Sequence, residues 1–228
     1  YARVEKLPNG RYAVRNSVTA AKDQTYALYN LTQDQLAHTL MPVGGYTKEE
    51  IRSIAQKIGL RVANKPDSQD ICFVPDGDYA SFIETYTGKK VPEGNFVTAE
   101  GRVLGRHRGI THYTVGQRKG LGIALGQRAF VTQIRPEANE VVIGDREAAC
   151  CTELRAKQVN FMAVQDIPQE KRVWAKIRYN HRGGWCTVKR TGEDELSCRF
   201  EEPQHAITPG QALVMYEDGY VLGGGVIV

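Results

Sequence analysis

The sequence predicts a mostly β protein with a helical first part, a small central mixed or β module and a C-terminal β-barrel. Apolar residues at helical spacing are concentrated in the first third, and after Gly88 the chain changes to short β-type runs separated by turn residues. From about residue 150, six such runs follow one another, which is typical of a closed or nearly closed barrel. We place the three parts at residues 1–76, 77–148 and 149–228.

Three helices are predicted. Gln33–Leu40 is a short helical segment. Thr47–Leu60 is the clearest helix, because Thr47 and Glu50 have the spacing of a capping box and apolar residues then recur at helical intervals. The third helix is predicted over Asp78–Tyr86. The side chains expected to be buried on the third helix are Phe82, Ile83 and Tyr86.

The strands of the last two parts are predicted from short runs rich in β-branched and aromatic residues, with hairpin-type turns between several of them. The predicted strands of the central module are Phe96–Thr98, Arg102–Leu104, Ala129–Ile134 and Glu140–Ile143. The predicted strands of the barrel are Leu154–Phe161, Val173–Tyr179, Trp185–Arg190, Leu196–Phe200, Ala212–Tyr216 and Tyr220–Val228.

The composition excludes several classes of protein. With 228 residues, 41% hydrophobic and 25% charged, the chain is neither disordered, nor collagen-like, nor a disulfide-dense miniprotein. No apolar run approaches the roughly 18–20 residues that span a bilayer, so we expect no membrane association. Because the chain starts at Tyr1 and its first methionine is Met41, we expect it to be a piece of a longer protein.

The cysteines and histidines give no sign of a metal site. The five cysteines are odd in number and none has C-x-x-C spacing, while the five histidines lack metal-ligand spacing. We therefore expect no metal, no secreted disulfide framework and a reducing cytoplasm. Four of the cysteines lie in or beside predicted strands and are expected to be packing residues. These four are Cys150, Cys151, Cys186 and Cys198.

A basic window extends from Gly101 to Pro136. It contains seven Lys or Arg residues and no Asp or Glu. Its glycines allow backbone N–H groups to approach an anion, and guanidinium groups bind phosphate through two hydrogen bonds at once. The window predicts a polyanion-binding surface with nucleic acid as partner, and Arg118 and Lys119 are its candidate contacts. A solvated basic face with turn glycines is the alternative.

Two short segments also contain candidate functional residues. Cys72 lies in the polar string D-S-Q-D-I-C-F, where Lys65 would favour its nucleophilic thiolate; a buried free cysteine is the alternative. In the string K-D-Q-T-Y, Lys22, Gln24 and the tyrosine offer contacts to phosphate, base edge and base face. The alternative there is a helix start capped by Asp23.

These strings occur in the order found in a known family. The chain resembles the tRNA-specific 2-thiouridylases (the MnmA or TrmU family) over essentially its whole length. The strings that carry the resemblance are K-D-Q-T-Y from Lys22, M-P-V-G from Met41, D-S-Q-D-I-C-F from Asp67, H-Y-T-V-G-Q-R-K-G-L-G from His112 and T-P-G-Q from Thr208.

The resemblance implies a fold, a reaction and site residues. The helical first part would be the remnant of an α/β PP-loop ATPase-type catalytic domain. The enzyme would use ATP with Mg to adenylate the C2 oxygen of the wobble uridine in the tRNA anticodon, and a persulfide carried by Cys72 would supply sulfur. A cysteine desulfurase or sulfur-relay protein would load that persulfide. The residues that match the family's tRNA contacts are Lys22, Asp23, Gln24, Arg178, Tyr179 and Gln211.

The chain also departs from the family. It contains no S-G-G-x-D-S string for ATP and no second cysteine before Cys72, which the family uses to release sulfur by forming a disulfide. We therefore expect the ATP site to lie in a preceding portion and this chain to be inactive by itself. One alternative is a non-catalytic RNA-binding module in which Cys72 is structural. Another is an ATP-pyrophosphatase relative that acts on a small molecule.

Overall fold

The computed structural model describes residues 1–65, 74, 77–123, 126 and 128–228, which form two structural units. The first unit comprises Tyr1–Lys65, Thr152–Pro203 and Thr208–Val228. The second comprises the described residues between Pro66 and Cys151 together with Gln204–Ile207. No helix within these described residues is long and apolar enough to cross a membrane.

The first 65 residues begin with a β-hairpin and continue into two helices. The hairpin pairs β1 (Arg3–Lys6) with β2 (Tyr12–Arg15), and it was not among the elements predicted from the sequence. Helix α1 spans Gln33–Ala37 and helix α2 spans Lys48–Lys57. Both start with a capping box, which confirms the one predicted for α2.

Helix α3 (Tyr79–Thr87) belongs to the second unit. Asp78 caps its first turn, and Gly88 ends it in a left-handed conformation with φ of 66°. The predicted burial of its apolar side chains is wrong, because Ile83 is 39% exposed and Tyr86 is 82% exposed. Phe82 is half-buried, and the buried residue of this helix is Ala80. Helical spacing carries no information about which face another element covers.

The second unit is built on a four-stranded mixed sheet. Its order is β4-β3-β6-β5, with β3 and β6 parallel and the other neighbours antiparallel. The strands are β3 (Gly94–Val97), β4 (Val103–His107), β5 (Phe130–Arg135) and β6 (Glu140–Gly144). Phe96 and Val131 are fully buried in its core, against Tyr113 and Leu121.

The first unit contains the predicted β-barrel, and it is closed. Six antiparallel strands follow the order β12-β11-β8-β9-β10-β7, and a further pairing between β7 and β12 completes the ring. The strands are β7 (Cys150–Phe161), β8 (Lys171–Lys176), β9 (Gly184–Gly192), β10 (Glu195–His205), β11 (Ala212–Glu217) and β12 (Tyr220–Ile227). Closure leaves the ring without a free edge, which explains why six short strands suffice.

The N-terminal hairpin is attached to this barrel. Arg15 of β2 pairs with Tyr220 of β12, so the hairpin extends the barrel sheet. The Arg11 guanidinium donates to the carbonyl oxygens of Phe161 and Met162 at 2.7 and 2.9 Å. The first part of the chain, predicted to be mostly helical, therefore also contributes two strands to the barrel sheet.

Candidate nucleic-acid interface

Asp23 organises the segment that contains three of the candidate contacts. Its Oδ2 accepts a hydrogen bond from the Ser17 backbone N–H at 2.8 Å, and its Oδ1 accepts from the Thr25 backbone N–H at 2.9 Å. The Thr25 hydroxyl also bonds to Oδ1. The carboxylate thus faces its own loop rather than solvent. Asp23 follows the short 3-10 turn Ala20–Lys22 and accepts from the first N–H of a second one, Thr25–Leu28, so the alternative of a helix start here is partly right, although the N-cap position belongs to Gln24.

Gln24 joins this segment to the loop after β8. Its side-chain nitrogen donates to the Tyr179 hydroxyl at 2.7 Å, and that hydroxyl donates to the Asp23 carbonyl oxygen at 3.2 Å. Gln24 and Tyr179 are 155 positions apart in sequence, and both are exposed. The structure therefore brings together two groups of candidate residues that the sequence treats separately.

Tyr26 brings a third segment into the same cluster. Its hydroxyl donates to the Ala212 carbonyl oxygen at 2.9 Å and accepts from the Ala212 N–H at 3.1 Å, beside the exposed Gln211. Its ring lies edge-on to that of Tyr179, with centroids 6.3 Å apart. Burial raises the pKa of the Tyr26 phenol, while the nearby positive charge of Arg178 opposes that rise.

The support beneath this cluster was not predicted. Tyr216 of β11 is buried, its hydroxyl lies 3.3 Å from that of Thr25, and burial raises its pKa. Lys22 and Arg178 are each half-buried. We name the set of Lys22, Asp23, Gln24, Arg178, Tyr179 and Gln211, with Tyr26, the Tyr26 cluster. In the sequence, the only sign of this support is that Thr25 and Tyr26 directly follow the candidate residues Lys22, Asp23 and Gln24.

Arg118 and Lys119 lie in the second unit, both exposed. Their loop is anchored by reciprocal backbone bonds, from Gly116 N–H to the Val131 carbonyl at 2.7 Å and from Val131 N–H to the Gln117 carbonyl at 2.9 Å. At Gly116, φ is +87° and an added Cβ would be 2.6 Å from the Ala206 Cβ, so the turn requires glycine.

Arg118 borders an open groove of about 620 Å³. The lining residues are Arg118, Arg128, Phe130, Asp145, Arg146, Glu147 and His205. Three guanidinium groups against two carboxylates leave an excess of positive charge. This is consistent with an anionic ligand.

Among the described residues, two of the seven cations in the basic window lie in ion pairs. Arg106 lies 3.7 Å from Glu93, and Arg135 lies 3.4 Å from Glu140. Within the parts of the chain that the structure describes, no ion pair of this length involves Arg118, Lys119 or Arg128. Arg106 and Arg135 are therefore engaged by carboxylates, whereas Arg118, Lys119 and Arg128 are available for a ligand contact.

The cysteines differ in their surroundings. Cys72 lies outside the described residues. Cys186 and Cys198 are buried in the barrel, and a hydrogen bond with Cys186, together with burial, raises the pKa of the Cys198 thiol. Both are packing residues, as predicted. The same prediction is wrong for Cys151, whose side chain is exposed, because its strand begins outside the barrel unit.

Comparison with known proteins gives consistent matches along the chain. Residues 1–76 match the family model described as the tRNA methyl transferase HUP domain, and residues 80–145 match the tRNA methyl transferase PRC-barrel domain. Residues 151–227 match the aminomethyltransferase beta-barrel domain.

Curated relatives match over the whole chain. A tRNA-specific 2-thiouridylase MnmA of Lachnoclostridium phytofermentans is 63% identical over all 228 residues, which are 64% of its length. Proteins of the same name from Clostridioides difficile and Clostridium kluyveri are each 51% identical, with 63% and 64% of their lengths covered. The chain thus spans slightly less than two thirds of these relatives. Three consecutive domain matches and relatives of one name show that the chain belongs to the MnmA family of tRNA 2-thiouridylases.

Proposed function

We propose that this chain supplies a tRNA-binding surface and the sulfur-carrying cysteine of an enzyme that converts the wobble uridine of tRNA to 2-thiouridine. The observation that carries the proposal is the Tyr26 cluster, in which Gln24 bonds Tyr179 at 2.7 Å. Cations, an amide and an aromatic ring gathered on one surface suit phosphate, base-edge and base-face contacts with RNA.

Each residue of the cluster has a distinct role in the proposal. Lys22 and Arg178 contact phosphate as fixed cations. Gln24 and Tyr179 remain exposed beyond their mutual hydrogen bond, so the amide meets a base edge and the ring a base face. Asp23 is a positioning residue, because its carboxylate is engaged by its own loop. Gln211 contributes a further polar contact.

Cys72 is the proposed sulfur carrier. A cysteine desulfurase or sulfur-relay protein loads a terminal sulfur onto its thiol, in a reducing compartment such as the cytoplasm. The terminal sulfur bonds to the activated C2 of uridine, and the activated oxygen leaves. A second cysteine thiolate, outside these residues, then attacks the Cys72 sulfur, forming a disulfide and leaving sulfur on the uridine.

Activation of the uridine oxygen is assigned elsewhere in the protein. The chain contains neither S-G-G-x-D-S nor a P-loop string, so its residues do not fit an ATP–Mg site of the family's type. The proposal limits this chain to binding and sulfur delivery. Extruding the wobble base costs roughly a few kcal/mol, which contacts from the Tyr26 cluster and the Arg118 groove would offset.

Binding is tested with unmodified tRNA over a series of salt concentrations, beside a DNA duplex of similar charge. Tyr179→Ala should raise the Kd for tRNA about 5- to 150-fold, the range for loss of one base–aromatic stack. Tyr46→Ala is a matched control, because Tyr46 is 44% exposed against 42% for Tyr179. Equal affinity for both nucleic acids would contradict the proposal.

The sulfur-carrier role is tested separately by incubating the protein with a cysteine desulfurase and cysteine, followed by thiol labelling and peptide mass spectrometry. Persulfide should accumulate on Cys72 and not on the exposed Cys151, which serves as the control thiol. Labelling of both to the same extent, or of neither, would refute the role of Cys72. Retained tRNA binding in that case would favour the non-catalytic RNA-binding module.

A further inference from the structure

The outer wall of the barrel carries the two tryptophans of this chain side by side. Trp174 on β8 and Trp185 on β9 are directly opposite in the strand register, and their ring centroids are 5.4 Å apart at 82°. Their neighbours Val173 and Cys186 are buried in the barrel, so alternation directs both indoles outward. Trp185 is 43% exposed.

Both rings are held in place. An added Cβ at Gly183, where φ is +89°, would lie 2.1 Å from the Trp174 Nε1, so that indole lies directly on the backbone. The Arg172 guanidinium carbon lies 4.0 Å from the Trp185 ring centroid, and Glu201 fixes the guanidinium through hydrogen bonds of 2.6 and 3.2 Å. A preformed surface of this kind loses little conformational entropy when it binds a ligand.

The two indoles border a cavity of about 350 Å³, near the lower end of the roughly 300–1,000 Å³ typical of ligand clefts. Its charges are largely neutralised. Arg172 is paired with Glu201, and Glu217 with Lys171 at 2.8 Å, while Asp218 adds a carboxylate to the lining. The cavity therefore offers aromatic faces rather than free cations, which suits an uncharged planar group and not a phosphate.

The cavity adjoins the Tyr26 cluster. Trp174 and Tyr216 line it, and the same two side chains line a second cavity of about 170 Å³ together with Asp23 and Thr25. Lys176 also lines this second cavity, so a cationic side chain and the two indoles occupy neighbouring positions on the barrel. This combination is typical of surfaces that track a nucleic-acid backbone and stack its bases.

We propose that Trp174 and Trp185 form a stacking site for an unpaired base of the same RNA that the Tyr26 cluster contacts. The inference rests on the proposed function and adds a base-binding site to it. A protein partner is the competing occupant. RNA is favoured because the cavity shares Trp174 and Tyr216 with the second cavity, which Asp23 and Thr25 also line.

The first experiment uses the emission of the two tryptophans. Titration of the protein with unmodified tRNA should quench their fluorescence, while inorganic polyphosphate, which has charge but no bases, should not. Trp174→Phe and Trp185→Phe assign the signal to one ring or the other. Labelled-tRNA anisotropy in the same samples reports binding independently. The comparison of tRNA with polyphosphate uses the unaltered protein, so it does not depend on the folding of a variant.

The second experiment measures affinity. Trp185→Ala should raise the Kd for tRNA about 5- to 150-fold, Trp185→Phe should restore most of it, and Tyr46→Ala should leave it unchanged. The stacking site alone would be overturned if the protein bound tRNA normally, its emission were not quenched, and Trp185→Ala left the Kd unchanged. Quenching by polyphosphate equal to that by tRNA would also overturn it. Failure of the unaltered protein to bind tRNA would refute both the site and the proposed function.

Discussion

Replacing Asp23 by alanine separates its structural role from an electrostatic one. The carboxylate accepts bonds from the Ser17 N–H at 2.8 Å, the Thr25 N–H at 2.9 Å and the Thr25 hydroxyl. Thr25 is only 1% exposed, so its N–H would lose its acceptor where water has little access, and its hydroxyl would keep only the Tyr216 hydroxyl at 3.3 Å. An unsatisfied buried donor costs about 1–3 kcal/mol, and the half-buried Ser17 adds less. We expect Asp23→Ala to lower the free energy of unfolding by about 2–4 kcal/mol.

The assay is urea unfolding followed by tryptophan emission, since both tryptophans lie in the unit that contains Asp23. Asp34→Ala is the control. It removes the same charge, but the Asp34 side chain is 88% exposed, so its effect should stay within about 0.5 kcal/mol. Asp23→Asn keeps one acceptor oxygen and should fall between the two. Equal stability of the Asp23→Ala and Asp34→Ala variants would refute the reasoning.

The affinity for tRNA is a second measurement, in which loss of the negative charge and loss of the loop geometry act in opposite directions. Removal of a negative charge, by itself, strengthens binding to a polyanion, and Asp34→Ala measures that contribution. If Asp23 positions Gln24 and the loop, Asp23→Ala should bind tRNA more weakly than the control variant, with the same salt slope because no cation is lost. Tighter binding by Asp23→Ala than by Asp34→Ala would show that the loop geometry is not needed.

Three further predictions concern the barrel, the hairpin and the basic loop. Gly183→Ala should lower the midpoint of urea unfolding and shift tryptophan emission, because the new methyl would occupy the position of the Trp174 ring; an unchanged midpoint contradicts this. A hydrogen bond from Tyr220 lowers the pKa of Glu5. The Glu5 carboxylate therefore stabilises the fold fully above its pKa in the unfolded chain, and this stabilisation is lost as the pH falls through its pKa in the folded chain. Glu5→Gln should lessen the loss of stability between about pH 5 and 3. Replacing Arg118 and Lys119 by alanine should reduce the salt slope of tRNA binding by about one unit per lost phosphate contact, whereas an unchanged slope places them outside the interface.

Local rules predicted the elements whose determinants lie close together in sequence. The capping box of Thr47 and Glu50 needs only four consecutive residues, and α2 begins where it predicts. The hairpin of β1 and β2 was missed because its strands have four residues each and depend on partners far along the chain. Pairing with Tyr220 and the bonds of Arg11 hold it in place, and neither is visible in the local pattern.

The candidate site shows the same division. The residue types in K-D-Q-T-Y suggested RNA contacts, and the family resemblance supplied Arg178, Tyr179 and Gln211. The hydrogen bond between Gln24 and Tyr179 could not be predicted, because it depends on how the N-terminal segment lies against the loop after β8. The inward direction of the Asp23 carboxylate likewise depends on Thr25 resting against Tyr216.

Closure of the barrel by its last strand has a consequence for synthesis of the chain. β12 pairs with β11, with β7 and with the N-terminal strand β2, so three strands depend on it for a hydrogen-bonding partner. The approach to β7 requires glycine, since a Cβ at Gly223 would be 2.5 Å from the Asn160 carbonyl oxygen. Until β12 leaves the ribosome, the edges of β2, β7 and β11 remain without this partner. Folding of the barrel is therefore expected to be late and slow, and premature termination within this strand to produce aggregation rather than a partly active protein.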